Sequence, residues 1–234
     1  MTSFNRSTKI GLAVAAAFGA ITSANASLVQ VGPETFQGVG LGAVNTILTI
    51  QSPGATPSET GSVGLNASGV QVTSGDTQAQ TKVQPLSVLG VTSAANLRIV
   101  FNASEPGADS ITLNSLALNI FSPTGALLFS SGGLTGAPIN FASTNPGVGN
   151  AGFVFALDAA QAAAAQAAAF GVGFGTNVVG LSASASNATG GLETFFVANN
   201  PGAPPTSVPE PESYAMILAG LSLLGFIAGR RKRK

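Results

Sequence analysis

The chain has 234 residues with no cysteine and no histidine, and charged residues make up only 8% of it. Disulfides, zinc-thiolate sites, thiolate-bound haem and catalysis by Cys or His are therefore excluded. The formal net charge of zero hides an asymmetry. Seven of the nine basic residues lie in the two terminal segments, and between Ser27 and Ser207 two cations face seven acids. That stretch carries about −5, and it lacks the clustered Lys and Arg that phosphate neutralisation needs.

Residues 1–26 read as a secretory signal peptide. Arg6 and Lys9 form a positive front, Ile10 to Ile21 an apolar run, and Ala24-Asn25-Ala26 the small residues that signal peptidase needs to cut before Ser27. An exported body, residues 27–198, follows. Asn45 to Gln51 and Leu97 to Asn102 carry β-branched and apolar residues at strand length. Ser62 to Thr73 alternates weakly, with Gly64 and Gly69 as turn or bulge points. Ile111 to Phe121 is the strongest strand. Its apolar parity changes near Ser115, which predicts a bulge or two strands in different sheets. Ser122-Pro123-Thr124-Gly125 suits a type I turn, so Ala126 to Ser130 should pair back as a hairpin.

Residues 131–150 read as loop, rich in Gly and Pro. Phe153, Phe155 and Leu157 alternate as a strand. Asp158 to Phe170 is nearly all Ala and Gln, strong helix formers. Asp158 can cap that helix at its start and Gly171 suits its end. Its small side chains bury little area, which places it across one end of a sandwich. Asn177 to Ala185 and Glu193 to Ala198 read as closing strands. The expected fold is mainly β: a β-sandwich, with a jelly roll among its forms, and one Ala-rich helix.

Residues 199–207 form a Pro/Gly linker, and residues 208–234 a distinct tail. Val208-Pro209-Glu210-Pro211 opens it. An apolar helix at 213–229 follows, and Arg230, Arg231, Lys232, Arg233 and Lys234 end it. The apolar core of that helix, Tyr214 to Ala228, rises about 22 Å against a hydrocarbon thickness of roughly 30 Å. Local thinning and snorkelling arginines can absorb the difference. The terminal cations would stay in the cytoplasm.

The order of Pro-Glu-Pro, apolar helix and basic end resembles the PEP-CTERM sorting signal of Gram-negative bacteria, a segment also labelled an ice-binding protein C-terminal domain. The resemblance implies an exosortase as processing partner, transient residence in the inner membrane, removal of the tail, and delivery to the cell surface or an exopolysaccharide matrix. It covers the tail alone and leaves the body's family unnamed. No regular Thr-x-Thr array supports an ice-binding role.

Catalytic constellations, cofactor sites and metal sites are not evident in the sequence. Glu105 and Asp109, four apart around Pro106-Gly107, are either a carboxylate pair, calcium ligands or solvated turn residues, the last favoured. Ser74 to Thr77 offers oxygen ligands without the carboxylate spacing of a calcium loop. Gly171 to Gly175 follows a helix instead of joining strand to helix, which opposes a phosphate-binding role. The leading expectation is a non-enzymatic surface or matrix protein associated with exopolysaccharide or biofilm. A carbohydrate- or calcium-dependent binding module stands second, and a secreted carboxylate hydrolase third.

Overall fold

A computed structural model describes residues 28–31, 45–52, 56–106, 109–142 and 152–200. In chain order the strands are Leu28–Val31 (β1), Thr46–Ile50 (β2), Ser58–Leu65 (β3), Gln71–Gly75 (β4), Gln84–Pro85 (β5), Leu97–Asn102 (β6), Ser110–Phe121 (β7), Leu127–Ser130 (β8), Ile139–Ala142 (β9), Phe153–Leu157 (β10), Val178–Ser186 (β11) and Glu193–Asn199 (β12). One helix, Ala159–Ala169 (α1), lies between β10 and β11. The strands form a five-stranded sheet, β1-β10-β6-β12-β2, and a seven-stranded sheet, β4-β3-β11-β7-β8, to which β5 adds on β11 and β9 on β7. All strand pairs are antiparallel.

Side-chain parity explains which face of each sheet is covered. In β11, Leu181, Ala183 and Ala185 are buried while Ser182, Ser184 and Ser186 point outward. In β7, Ile111 and Leu113 are buried, and after a register shift so are Leu116, Leu118 and Ile120. The extra residue near Ser115 keeps one long strand in one sheet, so the bulge expected there is present and the two-sheet alternative is not. Aromatic rings join the layers. Phe101 of β6 stacks on Phe195 of β12 at 4.7 Å and meets Phe141 of β9 edge-on at 5.6 Å.

The hairpin expected after Pro123 is formed. Gly125 N donates to Ser122 O at 2.9 Å, and Phe121 pairs with Leu127. Within Ser62 to Thr73, Gly69 is a turn point as expected, at φ 74°, whereas Gly64 lies inside β3. The chain folds back at Asn66 to Gly69, where Gly69 N donates to Asn66 O and Asn66 N to Val70 O. The segment 131–150, expected as loop, holds the four-residue strand β9.

Helix α1 starts as its sequence predicts: Asp158 Oδ1 accepts from Gln161 N at 2.8 Å. Ala162, Ala165 and Ala169 face the core, and Gln166 Oε1 accepts from Ala94 N at 3.0 Å. The expected glycine cap at Gly171 is displaced. Phe170 turns inward against Phe174, ring centroids 5.3 Å apart, and the left-handed residue is Gly173 at φ 78°.

Strand direction defines two ends of the body. One, the helix end, holds α1, Leu28 and Asn199, and here Asn200 N donates to Asn96 O at 2.8 Å. The β12 ladder thus runs through Asn199, the first residue assigned to the linker. The other end gathers Ser52, Glu59, Glu105 and the turn from Asn187 to Gly191.

Candidate functional site: a sealed carboxylate cluster

Three glutamates occupy the end of the core opposite α1. Glu59 shares its parity in β3 with Gly61 and Val63, and Glu193 shares its parity in β12 with Phe195 and Val197. Each therefore points between the sheets. Glu105 follows β6 by three residues and turns in from the loop. All three have no exposed surface.

Backbone and hydroxyl donors hold two of them. Glu59 Oε1 accepts from Ser52 N at 2.8 Å. Glu105 Oε2 accepts from Thr189 N at 2.8 Å and from the Thr189 hydroxyl. These bonds fasten the β2–β3 and β11–β12 connections to the core. Gln51 Nε2 adds a bond to Gly190 O at 2.9 Å. An added Cβ at Gly191 would overlap Ser104 O, so the turn lies directly on the chain leading to Glu105.

Glu193 is different. No N–H or hydroxyl of another residue is bonded to its carboxyl oxygens. Its pKa is pushed up to about 9, chiefly by burial, then by a hydrogen bond to Glu59 and by the charges of Glu59 and Glu105. At neutral pH the Glu193 carboxyl is therefore held in its protonated form. Burying a charge beside other carboxyl groups is costly, and a neutral Glu193 avoids that cost.

The cluster is built to hold the fold rather than to turn over a substrate. A catalytic acid needs access to a reacting bond, and these carboxyls are sealed. Among the described residues, no group of three or more acids is placed to hold a metal ion. The expectation of solvated turn acids holds for Asp109, which is exposed, and fails for Glu105, which is buried and bonded to Thr189. Asp76 lies apart, its Oδ2 accepting from Thr60 N at 2.9 Å. Of the two described cations, Arg98 is buried, its Nη1 donating to Ala95 O and Leu97 O, and Lys82 is exposed beside Asn45, Thr46 and Gln80.

Sequence reading placed no functional weight on Glu59 or Glu193. The signal was weak: Glu59 lay outside the stretch read as strand, and β12 has apolar residues on both parities. The signal-cleavage residues Ala24, Ala26 and Ser27, the motif Val208 to Pro211 and the cations Arg230 to Lys234 lie outside the described residues.

Residues 207–234 match the model of the PEP-CTERM protein-sorting motif. No curated protein and no solved structure matches the chain.

Proposed function

We propose that the chain is a non-catalytic protein of the cell surface or extracellular matrix, sorted by an exosortase and associated with exopolysaccharide. The PEP-CTERM motif at 207–234 carries this reading, because such a motif implies export and processing at the membrane. The body suits that destination. Its outward rows pair Ser182 with Ser62 and Ser184 with Thr60, a neutral hydroxyl surface that stays hydrated among sugar chains. Among the described residues, Glu59 and Glu105 are buried and bonded to the backbone of the connecting loops, which favours a structural use of these acids.

The test is replacement of Pro209, Glu210 and Pro211 by alanine in the producing cell. The altered chain should accumulate in the inner membrane with its basic end attached. Release to the surface at the normal level would refute exosortase sorting. Fractionation of the released protein with purified exopolysaccharide tests the destination, and an absence of co-sedimentation would remove the matrix assignment.

A further inference from the structure

We infer that β4 is a dimerisation edge, pairing antiparallel with β4 of a second copy of this chain to join the two seven-stranded sheets. The first observation is that β4 ends its sheet and that all five of its residues are exposed. Its free backbone groups follow from the ladder. Asn66 N donates to Val70 O and Asp76 N to Thr60 O, which makes the even-numbered residues of β4 the ones bonded to β3. The N–H and C=O of Gln71 and Thr73 therefore point away from the sheet.

Both edges of the five-stranded sheet, β1 and β2, are covered by the chain itself. Residues 76–82 run along β2, with Gln51 N to Asp76 O, Gln78 N to Thr49 O and Lys82 N to Ile47 O at 3.0 to 3.2 Å. Residues 133–135 cover β1 through Leu28 N to Gly133 O and Thr135 N to Leu28 O. The sequence of β4, QVTSG, carries none of the devices that blunt an open edge: no lysine, no proline and no bulge.

A second copy fits this edge better than an arbitrary strand. A twofold axis at Thr73 sets Gln71 opposite Gly75 of the second copy and closes both edges, so assembly stops at two. The strand is uncharged, and self-pairing brings no like charges together. Lys82 flanks the Gln71 side, since Gln71 bonds Val83 N and Thr81 O, while Asp76 follows Gly75. Antiparallel pairing sets the Lys82 side of each copy beside the Asp76 end of the other, opposite charges at both ends of the seam. Val70 and Val72 are about half exposed, at 58% and 47%, and lie at the seam.

The full-length protein in mild detergent should sediment as a dimer that dissociates on dilution. Thr73→Pro removes only an outward N–H and leaves the β3 ladder intact, so it should give monomers with an unchanged circular dichroism spectrum. Thr73→Lys should do the same, and it serves if the proline variant does not fold. The chain has no cysteine, so a single one reports cleanly. Thr73→Cys should cross-link to a disulfide dimer under mild oxidation, whereas Val172→Cys on an exposed loop should not. A monomeric wild type at high concentration overturns the inference. So does a dimer that survives Thr73→Lys, or cross-linking at position 73 no faster than at 172.

Discussion

Glu193 sets the pH response of the body. Its pKa rises from 4.5 in the open chain to about 9 in the fold, with burial the main cause. Below the lower value both states bind the proton and nothing is lost. Between the two values the unfolded chain releases it while the folded chain keeps it, so folding stability falls as pH rises and levels off above the folded pKa. The loss across the window is roughly a few kcal/mol. Glu193→Gln keeps a donor toward Glu59 and has no proton to lose. Urea denaturation from about pH 5 to about pH 9 should show the wild type weakening steadily and the variant losing most of that slope. An unaltered slope in the variant would place the titration elsewhere. Glu59 lay outside the stretch read as strand, and β12 has apolar residues on both parities, so neither acid was legible as an inward residue. Their meeting was not legible either, because Glu59 and Glu193 are 134 positions apart and come together only when the two sheets close.

At the scale of elements, the turns decide what could be read. Gly125 closes the β7–β8 turn at φ 89°, and an added Cβ there would overlap Asn66 O in the facing β3–β4 turn. Gly125→Ala should therefore cost about 2 kcal/mol or more, from backbone strain and the clash together. The measurement is the midpoint of urea unfolding at constant m-value, and a shift equivalent to less than about half a kcal/mol would contradict the contact between the two turns. The Pro-Thr-Gly chemistry of this hairpin was legible because the turn residues specify it locally. Leu97 to Asn102 was legible to the residue, since β-branched and apolar residues fill four of its six positions at strand length. The strand β9 was not, because Gly132, Gly133, Gly136 and Pro138 precede a run of only four residues. The two short strands β1 and β5 were missed for the same reason: their partners, β10 and β11, supply the order that their own sequences lack. The helix was legible from Ala and Asp158, while its exit was not, because burial of Phe170 moved the turn past Gly171.

The whole body is polar along its strands. Leu28 and Asn200 both leave from the helix end, and of the described acids only Asp158 lies there. Glu59, Asp76, Glu105, Asp109 and Glu193 gather at the far end. A body attached through its C-terminal side to a membrane with anionic lipids would thus hold its negative end away from the surface, which reduces repulsion while the tail is still present. The same layout predicts a body that folds without the tail. Asn200 is bonded to Asn96 at the helix end, whereas the carboxylate cluster that ties the loops together sits at the other. Intact-mass measurement of the protein released from cells should therefore find Ser27 at its start and Arg230 to Lys234 gone. That product should melt at the temperature of the full chain. Retention of the five cations would make the tail a permanent anchor. A lower melting temperature after their removal would mean that the tail contributes contacts to the body, and the sorting segment would then be part of the fold rather than a handle on it.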